Sequence, residues 1–295
     1  NTIIFGAGIT ADDISLIAGK DVMTMVVGTN GDEISLKVFN RDDVLGNGQH
    51  AVETYRFADG TQVSYADLLQ KGFDITGTQG NDTLQGTAVS DRIHALGGDD
   101  TITGGRGNDV LEGGSGEDTY IFNLGDGTDT IRDLASTMTG NRIQFGAGIA
   151  PSDLKLIASQ NLLTIEVGTG GDALNIEGFD PNDVEGSVNV RMYQFADGTI
   201  LTFGNLVSLL GFTVTGTSGS DQLAGTNAAD MIRGREGNDS MTGGAGNDTY
   251  VIDPASGIDT IVDTSRPLEE NTIVFNDGTL PGDIVLSHDA ANGML

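Results

Sequence analysis

The chain has 295 residues, with 14 Lys and Arg against 43 Asp and Glu and a formal net charge of −29. A field this negative repels nucleic acid and anionic membrane surfaces, which are bound through clustered Lys and Arg. With no Cys, no Trp, 45 Gly and 5 Pro, neither a disulfide framework nor a large aromatic core is available, and the acidic excess opposes compaction unless cations neutralise it.

Residues 1–76 read as a β-rich module. VMTMVVG from Val22 and ISLKVF from Ile34 alternate with period two, Asn30-Gly31 joins strands, and FADGT from Phe57 places Asp-Gly at a tight hairpin. Ser64 to Gly72 reads as one short capped helix.

Residues 77–132 repeat every nine: GTQGNDTLQ from Gly77, GTAVSDRIH from Gly86, ALGGDDTIT from Ala95, GGRGNDVLE from Gly104 and GGSGEDTYI from Gly113. Asp82, Asp91, Asp100, Asp109 and Asp118 fall in phase, each followed two positions later by Leu84, Ile93, Ile102, Leu111 or Tyr120. Asp129, in GDGTDTI, closes the block as a terminal turn.

Residues 133–215 form a second β-rich module, with LLTIEVG from Leu162, Gly170-Gly171 and a second FADGT from Phe195. Its start, NRIQFGAGIAPSDLKLI from Asn141, copies NTIIFGAGITADDISLI from Asn1, and NTIVFNDGTLPGDIVL from Asn271 begins a third copy. Between them, residues 216–262 hold four nonapeptides carrying Asp221, Asp230, Asp239 and Asp248, closed by Asp259. Residues 263–295 read as the start of a third module, and the chain as an excerpt of a longer protein.

A glycine-rich turn followed by a three-residue strand with one apolar centre buries nothing alone, so it must stack on its copies. If alternate nonapeptides form opposite sides of a flattened right-handed coil, Asp82, Asp100 and Asp118 share one column and Asp91 and Asp109 the other. Two bare carboxylates about 5 Å apart cost on the order of 3 kcal/mol at an effective dielectric of about 20. A hard dication reverses that sign. Calcium takes six to eight oxygens, carbonyls included, whereas magnesium prefers a rigid hydrated octahedron and zinc wants Cys or His. A flexible Gly/Asp linker is the competing reading, but it gives no reason for the phased apolar residue.

These nonapeptides resemble the RTX, or haemolysin-type calcium-binding, repeats, whose pattern is Gly-Gly-x-Gly-x-Asp-x-apolar-x. GGRGNDVLE, GGSGEDTYI and GGAGNDTYV from Gly243 fit every defined position if Tyr counts as apolar; Val89 and Ala228 stand where the fourth-position Gly belongs. The resemblance implies an all-β fold of parallel β-roll segments alternating with spacer modules, themselves similar to those that accompany RTX arrays. It implies calcium held by Asp82, Asp100, Asp109, Asp118, Asp221, Asp239 and Asp248. Asp91, Asp129, Asp230 and Asp259 join as candidates, with turn carbonyls around Gly80, Gly98, Gly107, Gly116, Gly219, Gly237 and Gly246.

No catalytic residue is nominated. HExxH and Gly-x-Ser-x-Gly are absent, His50, His94 and His288 stand apart in sequence, and Arg92, Arg106, Arg233 and Arg235 read as charge partners on a solvated face. No apolar run approaches the ~20 residues that span a bilayer, and residues 1–20 lack a signal-peptide pattern, so the chain reads as soluble. The expectation is a secreted, extracellular or cell-surface structural or adhesive segment that passes a type I secretion channel unfolded and folds on meeting calcium. Copies of itself or cell-surface polysaccharide are further expected partners. The competing reading is the non-catalytic RTX tail of a secreted enzyme or toxin.

Overall fold

The computed structural model describes residues 1–19, 21–37, 39–44, 51–133, 140–254, 256–263 and 269–276. His50, His288 and most of the expected third module lie outside them. The chain divides into two units, 1–180 with 185–206, and 181–184 with 207–295.

The first unit begins with β1 (Thr2–Ile4), β2 (Ile14–Ala18), β3 (Val22–Val27), β4 (Asp32–Lys37), β5 (Thr54–Arg56), β6 (Gln62–Ser64) and α1 (Tyr65–Leu69). The period-two segments pair as an antiparallel meander, β2-β3-β4, turning where Asn30-Gly31 was expected to turn it. β1 pairs parallel with β5, and β5 antiparallel with β6 through the FADGT turn. In that turn the Phe57 N–H donates to Thr61 O (2.9 Å) and the Thr61 N–H to Asp59 Oδ1 (2.8 Å). Phe5 of the FGAGI phrase stacks on Phe57 with centroids 4.9 Å apart, which explains why the two phrases recur together. Ser64 caps α1, its Oγ accepting the Asp67 N–H at 3.1 Å.

The coil follows as β7 (Asp74–Thr76), β8 (Thr83–Gln85), β9 (Arg92–His94), β10 (Thr101–Thr103), β11 (Val110–Glu112), β12 (Thr119–Phe122) and β13 (Thr128–Ile131). Alternate strands pair in parallel, so Thr83, Thr101 and Thr119 lie in one register and Arg92 and Val110 in the other, each step 18 residues. The flexible-linker reading fails here. Each strand turns its central residue inward: Ile93, Ile102, Leu111 and Tyr120 are at most 1% exposed, while their neighbours stay half-buried. One side chain per nine residues makes a thin core, and the rest of the holding energy must come from the turns.

Residues 141–206 continue both sheets. β14 (Asn141–Phe145), β15 (Leu154–Ser159), β16 (Asn161–Val167), β17 (Asp172–Phe179), β18 (Val190–Gln194), β19 (Ile200–Thr202) and α2 (Phe203–Leu210) follow. β14 pairs parallel with β12 on one face and β17 with β13 on the other, so the roll runs without a break into the antiparallel pairs β17-β16, β16-β15 and β18-β19. Phe145 stacks on Phe195 at 5.0 Å, as Phe5 does on Phe57, and meets Phe122 of the roll edge-on at 6.5 Å.

The second unit contains β20 (Phe212–Thr215), β21 (Gln222–Ala224), β22 (Asp230–Arg233), β23 (Ser240–Thr242), β24 (Thr249–Ile252), β25 (Thr260–Ile261) and β26 (Thr272–Phe275). β20, β22, β24 and β26 pair in parallel on one face, β21, β23 and β25 on the other. Ile232, Met241 and Tyr250 form its core, flanked by Val214, Leu223, Ile252 and Ile261. Among the described residues of the chain no helix is long and apolar enough to cross a membrane.

Candidate metal centre

Stacking at 18-residue steps brings the aspartates into the two columns expected of them, and gives each a structural task. One carboxylate oxygen, Oδ1, accepts the backbone N–H of the aspartate one coil earlier: Asp82 N–H to Asp100 (2.7 Å), Asp100 to Asp118 (2.9 Å), Asp91 to Asp109 (2.7 Å) and Asp109 to Asp129 (3.0 Å). The second array repeats this from Asp221 to Asp239 (2.9 Å), Asp230 to Asp248 (3.0 Å) and Asp239 to Asp259 (3.1 Å). The residue just before each aspartate builds a ladder in the opposite sense, with Asn81 Oδ1 accepting the Asp99 N–H and Asp99 Oδ1 the Glu117 N–H, both at 3.0 Å.

The other carboxylate oxygen, Oδ2, sorts the turns into two kinds. In four of them Thr occupies the second position and its N–H donates to the Oδ2 of the same repeat: Thr78 to Asp82 (2.5 Å), Thr87 to Asp91 (2.5 Å), Thr217 to Asp221 (2.7 Å) and Thr226 to Asp230 (2.7 Å). The hydroxyls of Thr78, Thr217 and Thr226 donate to the same oxygen at 2.9, 2.9 and 3.1 Å. In the turns of Asp100, Asp109, Asp118, Asp239 and Asp248 no donor reaches Oδ2, although these side chains are at most 2% exposed.

With Oδ1 of Asp230 and of Asp263, these make seven buried carboxylate oxygens without a donor among the described residues, a large liability, since an uncompensated buried charge costs ~3–5 kcal/mol. Burial pushes the Asp118 carboxyl up to about 6 and the Asp100 and Asp248 carboxyls upward; it also raises Asp109, with repulsion from Asp129 adding to the effect, and Asp129, with repulsion from Asp126 and Asp172 adding. At each of these sites desolvation outweighs like-charge repulsion, so burial, more than repulsion between stacked neighbours, is what opposes the bare carboxylates. Hard, negative, unpartnered oxygens fit calcium. Among the described residues no three acidic or histidine side chains converge on one point, so the remaining oxygens of a shell have to come from turn carbonyls.

The glycines make such turns possible. A Cβ on Gly113 would sit 2.2 Å from Asp118 Oδ2, and one on Gly116, where φ is +135°, only 2.0 Å from the Gly98 carbonyl oxygen of the coil before. Gly98, Gly107, Gly237 and Gly246 share this positive φ; Gly80 and Gly219, grouped with them in the sequence reading, sit in Thr turns without it.

Each array ends in a lock that the motif does not show. The Tyr120 hydroxyl donates to Asp133 Oδ2 (2.5 Å) and accepts the Gly113 N–H (2.9 Å). Asn141 donates from Nδ2 to the same Asp133 oxygen (2.7 Å) while its Oδ1 accepts the Asp118 N–H (2.8 Å). Tyr250, Asp263, Asn271 and Asp248 copy it at 2.6, 2.7 and 2.8 Å. The long repeat was the available signal, because Asn141 and Asn271 occupy the same place in it.

Two of the four arginines expected to be charge partners are locally paired, Arg92 with Asp74 (2.5 Å) and Arg233 with Asp253 (2.6 and 2.8 Å). His94 does not stand apart as its sequence position suggested, since Nδ1 lies 2.7 Å from Glu112 Oε2 across the strand pair.

Comparison with known proteins matches the RTX calcium-binding nonapeptide repeat in four copies, over residues 76–111, 85–120, 94–131 and 215–250. No curated protein sequence matches the chain. Among solved structures, it is similar to the extracellular lipase LipA from Serratia marcescens at 15% identity and a TM-score of 0.29, covering 69% of this chain and 32% of that one. The chain thus spans about a third of that protein's length. Repeat spacing, parallel coil and matched motif agree: the chain carries RTX calcium-binding nonapeptide repeats in two β-roll arrays.

Proposed function

We propose that this chain is a secreted structural or adhesive segment, organised as modules 1–76, 133–215 and 263–295 around rolls 77–132 and 216–262, whose rolls fold when extracellular calcium reaches their turns. The observation that carries the reading is the row of buried, donorless Oδ2 atoms at Asp100, Asp109 and Asp118 in successive turns. Without a cation each coil adds a desolvated charge; with one, the same carboxylate stitches its coil to the one before. Extracellular calcium modules bind with constants of about 10⁻⁴ to 10⁻³ M, which keeps such turns empty in cytosol and filled outside. An unfolded, strongly anionic chain before calcium arrives suits export through a channel, and its stacked coils suit a spacer or surface-attached segment.

Circular dichroism of the full chain during calcium titration tests this. A gain of β-signal with a midpoint near those concentrations, reversed by chelator, is expected. A spectrum indifferent to calcium and chelator overturns it.

A further inference from the structure

The two kinds of turn are distributed by rule. Thr78 and Thr87 form the first coil of the first array, Thr217 and Thr226 the first coil of the second, and no later turn has Thr in that place. We propose that calcium occupies only the later turns, at Asp100, Asp109, Asp118, Asp239 and Asp248, and that the Thr turns make each opening coil a metal-free end-piece on which the calcium-binding coils stack. This rests on the calcium reading above and goes beyond it by assigning occupancy turn by turn.

The first support is the fate of Oδ2. In an opening coil the N–H and hydroxyl of Thr78, Thr217 and Thr226 both meet that oxygen, so that a cation would have to displace two donors, while Thr87 gives its N–H to Oδ2 and its hydroxyl to Oδ1 of Asp91; of these four carboxylates Asp230 alone keeps a buried oxygen, Oδ1, without a donor. The same hydroxyl accepts the N–H two residues on, at 3.2 Å from Gly80, 3.3 Å from Val89, 3.2 Å from Gly219 and 3.1 Å from Ala228, so the turn is closed by its own side chain. In the later turns the oxygen is buried and aimed into a turn with nothing to meet it.

The second support is backbone strain. Later turns place their second residue at positive φ, which costs nothing at Gly105, Gly114 or Gly244 (φ +93°, +97°, +107°). Two of them do so with side chains, Leu96 at +79° and Arg235 at +72°. Left-handed non-glycine residues are strained and persist where surroundings enforce them. Thr turns show that a relaxed alternative exists in this same coil, so something that the relaxed turn cannot hold maintains the strained one. The turns without positive-φ glycine include Gly80 and Gly219 as well as Val89 and Ala228, so the second residue, rather than the fourth, sorts the sites.

The test counts calcium on the full chain by equilibrium dialysis with metal analysis. Leu96→Thr combined with Arg235→Thr converts two strained turns to the closed kind; we expect fewer bound ions than wild type and, in chelator, a higher melting temperature. An unchanged ion count in that variant overturns the proposal. Asp82→Asn with Asp221→Asn, which removes carboxylates only from Thr turns, is expected to leave the ion count at the wild-type value, and a fall overturns the proposal by a route independent of the first variant. Wild-type protein that binds no calcium sinks the function itself, whereas calcium binding that both sets of turns share equally sinks only this assignment.

Discussion

The roll at 77–132 and the hairpins of residues 141–206 are stacked in the same two sheets but are held by different physics. In the roll, one inward residue per nine contributes apolar burial, and the turns must supply the rest through carboxylates that cannot stay charged alone. In the hairpins, Leu156, Leu163, Ile165, Leu174 and Ile176 are at most 2% exposed along three adjacent strands, and an aromatic stack closes the end. Hydrophobic burial needs no ion. A sheet can therefore be continuous in hydrogen bonds and still change its source of stability from one strand to the next.

Chelation is the most forceful way to break this comparison. At calcium about 100 times its dissociation constant, mass action contributes ~2.7 kcal/mol per site. Removing it should lower amide-exchange protection in β8–β13 by ~100-fold or more, while the pairing of β15 with β16 stays protected; simultaneous loss in both regions would show that they form one cooperative block. Leu163→Ala comes next, at ~2–5 kcal/mol by cavity formation, and urea unfolding should show the same loss with calcium and without it.

Two changes at the roll's last turn sharpen the contrast with smaller effects. Gly113→Ala pushes a methyl against Asp118 Oδ2 and the Tyr120 hydroxyl, and is expected to cost ~1–3 kcal/mol in calcium, read as a lower melting temperature. Tyr120→Phe removes the acceptor of the Gly113 N–H and one donor to Asp133 Oδ2 inside the roll, a loss toward the low end of ~1–3 kcal/mol in the same assay. Neither should alter protection in β15 and β16.

The coil was legible from the sequence because its signal is periodic: aspartates in phase at nine residues force the 18-residue register seen between Thr83, Thr101 and Thr119. The hairpins at Phe57 and Phe195 and the Ser64 cap were equally legible, since each depends on a few adjacent residues. The division of labour within a carboxylate was not. Whether Oδ2 of Asp82 or of Asp100 meets a donor depends on a residue four positions earlier and on the backbone angle it adopts. The pairing of Tyr120 with Asp133, thirteen residues away, and of Asn141 with both Asp118 and Asp133, lies outside any nonapeptide pattern. Stacking of β14 and β17 onto the roll was hidden as well, because edge-to-edge continuity leaves no mark in local alternation.

Array length carries a geometric message of its own. Five nonapeptides separate β7 from β14, and β14 emerges on the face opposite β7, beside β8, β10 and β12. Four separate β20 from β26, and β26 emerges on the same face as β20. Odd and even arrays thus deliver the following strand to opposite sides of the coil. Gaining or losing a single nonapeptide re-aims whatever follows by half a circuit, while a change of two alters only the reach.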